Sequence, residues 1–368
     1  MIRFLLALCL LVSISPARAL EVVDLAGRTV TVPPRIERIV LGEGRFLPVL
    51  AILERDDPLR RVAATMGEFP LLDPGGYAQW LAGFPRLAEI PQVGKASPDT
   101  FSAERTIGLA PDLAIFGLAG HGPGPQAVEL VRQLEAAGTT VVFVDFFLDP
   151  LVNTPRSVAL LGKVLGREQE AAAFVAAYEA AFRQVTDRLA RATKRPLVFL
   201  ENRVGLQEDC CASVGEGVIG RVIEQAGGRN LAAKRITGYS GTISLEYLLT
   251  NQPDVYVGTA IGSASTAQKA PRRIAMGPGV SADLARTTLA NSLARPGIAH
   301  LRAVQTGRAY GLWHHFFHSP FNVVALQVLA KWFHPDLFAD LDPAATHRDM
   351  VARFQPIPLD GTYWAAPQ

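Results

Sequence analysis

RSVALLGKVLGREQEAAAFVAAYEAAFRQVTDRLAR, residues Arg156–Arg191, decides the fold. It holds no Pro, and its only glycines are Gly162 and Gly166. Val175, Tyr178, Phe182, Val185 and Leu189 recur at steps of three and four, which makes one apolar helical face. Thr154-Pro155 suits a helix start and Lys194-Arg195-Pro196 a stop. One helix of this length would run about 54 Å at about 1.5 Å per residue, farther than one domain is wide. The stretch therefore predicts a rod joining two bodies, with a unit over 20–152, the linking helix over 153–193 and a second unit over 194–368. A break near Gly162–Gly166 would instead give two shorter helices. A stiff bridge also predicts bodies that move little and a cleft that is largely preformed.

Outward on both sides, short apolar runs alternate with helical patterns. Before the rod, RIVLG (Arg38–Gly42), RRVAAT (Arg60–Thr65), DLAIFG (Asp112–Gly117) and TTVVFVD (Thr139–Asp145) read as strands, with helices over Phe46–Glu54 and Gln126–Ala137. After it, PLVFLE (Pro196–Glu201), DVYVG (Asp254–Gly258) and RAYGLW (Arg308–Trp313) read as strands, with helices over Val218–Ala226, Leu245–Thr250 and Phe321–Trp332. Such alternation indicates parallel βαβ units on both sides. The fold class is thus α/β: two Rossmann-like lobes joined by one long helix, with a ligand cleft between them.

The opening MIRFLLALCLLVSISPARA has an early Arg3, an apolar run and a small-residue exit. It reads as a secretory signal peptide, 1–19, cut after Ala19, which places the product in the periplasm. The run is shorter than the roughly 20 apolar residues of a permanent span. Lys and Arg total 36 against 34 Asp and Glu, and removing Arg3 and Arg18 leaves the balance even. A neutral chain gives no reason to expect nucleic acid or an anionic membrane surface as a partner. The expectation is a monomer with no membrane anchor. Only Cys210 and Cys211 follow the leader. They read as a vicinal disulfide, as two reduced buried thiols, or as a thiolate for a soft metal or haem iron.

The segment EVVDLAGRTVTVPPRIERIV (Glu21–Val40) reads as a hairpin turning at Ala26-Gly27, a Pro-Pro break and a core strand. It closely resembles the start of periplasmic substrate-binding proteins of iron–siderophore, haem and cobalamin ABC importers. Further stretches resemble that family in order: ERTIGLAPDLAIF (Glu104–Phe116), GVIGRVIEQAGGRNLA (Gly217–Ala232), ISLEYLLTNQPDVYV (Ile243–Val257) and ALQVLAKWFHPDLF (Ala325–Phe338). The resemblance implies two lobes on a single helix, a binding cleft, and delivery to an ABC permease and, through it, to its ATPase subunits. It also implies that Glu104 and Glu246, at matching motif positions of the two lobes, meet Arg residues of the permease.

Ligands of such folds sit at the carboxyl ends of the strands. The loops there are rich in Arg, aromatic and Gly residues. Arg matches carboxylate or catecholate oxygens with a planar fork of donors, and aromatics cover flat ligand faces. The candidate ligand contacts are Arg45, Phe46, Tyr77, Trp80, His121, Phe146, Arg203, Arg272, Arg273, His314 and His315. No direct metal site is expected from His314, His315 and His318, since neighbours on a strand end point apart. The reading is a receptor for an iron chelate, with a ferric siderophore first and haem or cobalamin as the alternative, no cofactor and no catalysis. The rival from another class is a secreted hydrolase using His121 or His314 with an acid such as Asp145. No nucleophile motif accompanies it: Gly238–Gly241 is followed by Thr242 rather than closing a nucleophile elbow, and the GxGxxG of Gly215–Gly220 is read as a helix start after a long loop.

Overall fold

A computed structural model describes residues 20–207 and 210–367. The expected signal peptide, 1–19, lies outside the described residues. The chain opens with a hairpin, β1 (Leu20–Val23) and β2 (Thr29–Val32), turning at Asp24–Gly27. Asp24 holds the turn by accepting from the amides of Ala26 and Arg28. Then follow β3 (Ile39–Leu41), α1 (Leu47–Leu53), β4 (Val62–Met66), α2 (Glu68–Leu72), α3 (Pro74–Gly83), β5 (Gln92–Gly94), α4 (Ala103–Gly108), β6 (Leu113–Gly117), α5 (Val128–Ala136) and β7 (Thr140–Val144). The five strands from β3 to β7 form one parallel sheet in the order β5-β4-β3-β6-β7. Strands β6 and β7 are buried almost throughout, as expected of a parallel sheet covered on both faces.

The single rod is corrected. The stretch folds as two helices, α6 (Pro150–Leu165) and α7 (Glu168–Leu189), packed on each other. Gly166 ends α6 in the left-handed region at φ 65°, a conformation that costs glycine little. A Cβ at Gly162 would overlap the Cβ of Ala171, so its missing side chain lets the two helices cross closely. The helix also starts earlier than Thr154-Pro155 suggests: Pro155 lies inside α6. Proline leaves the carbonyl four residues back without its helix donor. That carbonyl belongs to Leu151, and the hydroxyl of Tyr178 on α7 lies 3.4 Å from it.

α6 touches both lobes as well, but α7 is the main bridge: it packs on α1 of the first lobe and, on the other side, on the closing helices of the second. Phe174, Tyr178 and Val185 on its inner face join one apolar cluster running from Val22 in the hairpin to Tyr363 near the C-terminus.

The second lobe continues with β8 (Leu197–Glu201), β9 (Ala212–Val214), α8 (Val218–Gln225), β10 (Arg229–Asn230), β11 (Ser240–Thr242), α9 (Leu245–Thr250), β12 (Val255–Ala260), β13 (Gly277–Pro278), α10 (Ala282–Leu293), α11 (Arg302–Gln305), β14 (Ala309–Trp313), α12 (Asn322–Phe333), α13 (Pro343–Phe354), β15 (Gly361–Thr362) and β16 (Trp364–Ala365). Its sheet runs β10-β8-β12-β14-β16, parallel except for β16. Ahead of GxGxxG the structure has β9, where a loop was expected. It pairs antiparallel with β11, outside the parallel sheet, so the motif still lacks the strand–turn–helix setting of a dinucleotide site.

Asn322, fully buried at the start of α12, ties the junction together. It accepts from the Tyr178 hydroxyl at 2.5 Å and donates to Thr154 Oγ1 at 2.8 Å and to the Ser319 carbonyl at 2.9 Å. Both linking helices and the second lobe meet in this one polar knot. Among the described residues no helix is long and apolar enough to cross a membrane.

Candidate functional site

Each sheet changes winding direction at one point, between β3 and β6 in the first and between β8 and β12 in the second. Loops leaving such a point splay apart and open a crevice. The first contributes Arg45 and the Ala119–His121 turn; the second contributes Asn202, Arg203 and Arg273. The turn His314–His318 after β14 faces both. Together they enclose a cavity of about 500 Å³, within the range of small-molecule sites.

Arg45 is the hub of the first wall. It is 6% exposed, and its Nη2 donates to Glu43 Oε2 at 2.9 Å. A guanidinium has only donors, so the ring nitrogens facing it must accept. Nη2 thus donates to His121 Nδ1 at 2.7 Å and Nη1 to His315 Nδ1 at 3.2 Å. Glu68, fully buried, accepts from the Arg45 amide and lies 3.6 Å from its Nε. Burial would push both carboxyls up. Glu43 is nevertheless held below its ordinary value by Arg45 and His121, while Glu68 is raised by burial and by the charge of Glu43.

The opposite wall is imidazole. Burial, with Arg203 and Arg45 nearby, pushes His314 down to about 3. Burial and Arg45 hold His315 and His318 well below the ordinary value. All three are neutral at physiological pH. His315 Nε2 donates to the Leu72 carbonyl at 2.9 Å, so both of its nitrogens are committed. His314 Nδ1 lies 3.2 Å from Thr259 Oγ1. His318 stacks on Phe147, centroids 4.6 Å apart, and its ring is 5.9 Å from His314 and 6.1 Å from His121. Arg203 sits in the left-handed region at φ 53°, its amide on Thr259 Oγ1. Among the described residues the guanidinium groups of Arg203 and Arg273 make no ion pair or hydrogen bond. Leu71, Leu206 and Tyr239, all exposed, give the mouth an apolar rim.

Six of the expected contacts line this cavity: Arg45, His121, Arg203, Arg273, His314 and His315. The other five do not. Phe46 and Phe146 pack on each other in the core, and Tyr77 packs on Phe69. Trp80 is buried in a satellite core, and Arg272 is exposed outside the cavity. In the turn wrapped around the Asp145 carboxylate, Phe146 points into the core and Phe147 into the cleft. His318 joins the wall because His314–His318 is a 3-10 turn and not a strand end. Phe147 reaches across to Tyr239, and Asp149 beside it pairs with Arg221 of the second lobe.

Behind His315 and His318 lies a chamber of about 50 Å³ walled by Trp80, Trp313 and Phe321, with Asp73, His347 and Tyr363 in its lining. Burial raises Asp73 to about 6 and lowers His347 to about 4. A histidine kept neutral in the fold favours folding above its unfolded pKa of about 6.5, and that contribution is lost as pH falls through about 4. Asp73 has the opposite sign: its contribution is full below about pH 4 and lost as pH rises through about 6. Between pH 7 and 4.5, His347→Gln is expected to lose about 2 kcal/mol less stability than the native chain. Urea unfolding at the two pH values measures this; equal losses would refute the assignment.

The hydrolase pairing fails on geometry. Asp145 is buried, and its carboxylate accepts from the amides of Phe147, Leu148 and Asp149 and from Asn153 Nδ2, which leaves it to shape its loop. Cys210 and Cys211 are joined as a vicinal disulfide. Among the described residues no three His, Cys, Asp or Glu side chains are arranged to hold a metal ion.

No curated protein matches the chain. Among solved structures it is similar to the TroA-like periplasmic binding protein FepB of Veillonella parvula: 27% identity, a TM-score of 0.82, and 95% of this chain covering 99% of that one. The fold is also that of the molybdate-binding protein MolA of Haemophilus influenzae, at 18% identity and a TM-score of 0.67 over 93% and 99% of the two chains. The periplasmic haem-binding protein RhuT of Roseiflexus sp. RS-1 shares it at 22% identity and 0.56 over 82% and 100%. The model of the family described as periplasmic binding protein matches residues 70–313, well over half of the sequence. With two winding points facing one cavity and a match that takes in strands of both sheets, the chain belongs to the periplasmic binding protein family of ABC importers.

Proposed function

We propose that the cleft captures an anionic metal chelate, an iron chelate first among them, for delivery to an ABC permease. One observation carries this: Arg203 and Arg273, without partners among the described residues, and the neutral imidazoles of His314 and His318 face the same cavity under an apolar rim. The guanidinium groups suit carboxylate or catecholate oxygens, and the rim suits the body of a large chelator. The iron stays in its chelator, and no bond to it is made or broken by catalysis. Haem is the second reading, favoured by the same two rings: a neutral imidazole can take an axial position on haem iron.

Glu104 and Glu246 are the proposed docking points. Each is exposed in the first turn of a short helix whose N-cap serine, Ser102 or Ser244, accepts from the amide three residues on. The repeat of that local structure in both lobes supports a paired role.

Native mass spectrometry of protein drawn from an iron-limited periplasm tests the reading. A passenger with the mass of a ferric chelate is expected. A Soret band would select haem, and a bare oxyanion would reject both. His318→Ala should weaken binding of the passenger by about tenfold or more, the loss of about 1.4 kcal/mol. Unchanged affinity in equilibrium titration would remove the imidazole from the site.

A further inference from the structure

Four side chains converge on the guanidinium of Arg45. His121 Nδ1, His315 Nδ1 and Glu43 Oε2 all lie within 3.2 Å of its Nη atoms, and Glu68 Oε1 lies 3.6 Å from Nε. His121 Nδ1 and Glu43 Oε2 are 3.9 Å apart. Two imidazole nitrogens with their lone pairs inward and two carboxyl groups are the donor set of a divalent transition-metal site. Here an organic cation stands in the middle. Its planar fork holds the donors apart, so no three of them are arranged for a metal as they stand. Arg45 is buried, and two of its polar neighbours are fixed from behind. His315 Nε2 is tied to Leu72, and Glu43 Oε1 accepts from the His121 amide at 2.8 Å.

We infer that Arg45 is the residue that makes the cleft selective for chelated over free metal: its guanidinium fills the place a bare divalent ion would take. The inference rests on the reading of the cleft as a chelate site. Without Arg45, a wall of histidines in a receptor for a metal-bearing cargo would be a trap for free ions. With it, His121 and His315 both have Nδ1 committed, and His121 is left with its Nε2–H edge. That edge donates to cargo oxygens and cannot ligate. At the Arg45 wall a metal is then met only inside a chelator, whose own anionic groups reach Arg203 and Arg273.

The test uses Co²⁺ alone, without chelator, followed by its visible absorption. Arg45→Ala should bind one Co²⁺ about tenfold or more tighter than the native chain, equivalent to about 1.4 kcal/mol. Arg45→Ala with His315→Gln should lose that gain. Equal Co²⁺ affinity in the native chain and Arg45→Ala overturns the inference. So does a gain that survives His315→Gln, since the ion would then sit elsewhere. Should Arg45→Ala fail to fold, ¹⁵N-imidazole NMR of the native chain decides: His121 and His315 must both carry their proton on Nε2, and a proton on either Nδ1 overturns the assignment. The Co²⁺ readout contains no cargo, so a wrong choice of cargo and a wrong role for Arg45 fail in different experiments.

Discussion

Glu104→Arg combined with Glu246→Arg is expected to abolish import while leaving cargo affinity unchanged. Both carboxylates stand in the solvent, and neither residue lines the cleft. Neither makes a hydrogen bond or ion pair through its side chain among the described residues, so reversal disturbs no packing. At a docking face the same reversal puts like charges opposite each other. Rim charges chiefly set encounter rate and orientation, and like-charge juxtaposition suppresses the complex by several kcal/mol. Each single variant should leave reduced uptake, and the pair none. Uptake by cells with the permease, run beside equilibrium binding to the purified receptor, separates the steps. Normal uptake by the double variant would remove these two residues from docking, and lost cargo binding would relocate their role to the receptor itself.

The largest loss of stability is expected at Arg295. Glu201 ends β8, buried, and accepts both prongs of Arg295 at 2.8 and 2.6 Å. The Tyr256 hydroxyl donates to the same carboxylate at 2.5 Å, and Arg295 Nε donates to the Ser292 carbonyl at 2.7 Å. Removing one partner of a buried pair leaves the other charge without compensation, a loss of about 3–5 kcal/mol. Arg295→Ala should therefore lower the urea midpoint sharply. Adding Glu201→Leu should recover part of the loss, because the stranded carboxylate is then gone. Asn202 and Arg203 follow Glu201 directly, so cargo affinity should fall with the single variant as well. A shift in stability below about 1 kcal/mol would mean that solvent reaches the carboxylate and the network carries little.

The regular parts of this molecule were legible because buried parallel strands are written as continuous apolar runs. Leu113–Gly117, Thr140–Val144 and Leu197–Glu201 lie within a residue or two of where their apolar runs place them. The helix break was harder to read. Gly162 and Gly166 look alike in a periodic stretch, yet one admits a close helix crossing and the other takes a left-handed turn. Both depend on partners that periodicity does not contain. At the cleft, the carboxyl ends of the strands named loops that do line the cavity, and most of the charged residues picked from them face it. The aromatic residues did not follow suit. Phe46, Tyr77, Trp80 and Phe146 satisfy the core before they can serve a ligand, and nothing local separates Phe146 from Phe147 except the direction of the backbone after β7. His318 was hidden by the assumption of extended backbone, which a single 3-10 turn undoes.

The knot at Asn322 bears on unloading. Tyr178 and Thr154 on the two linking helices and the Ser319 carbonyl of the second lobe hold it, inside an apolar cluster that also takes in the first lobe. A receptor tied in this way is expected to open little of its own accord when it meets the membrane. Cargo escapes only if something outside the receptor forces the seam apart, and under the proposed role that mechanical work falls to the nucleotide-driven machine beneath it.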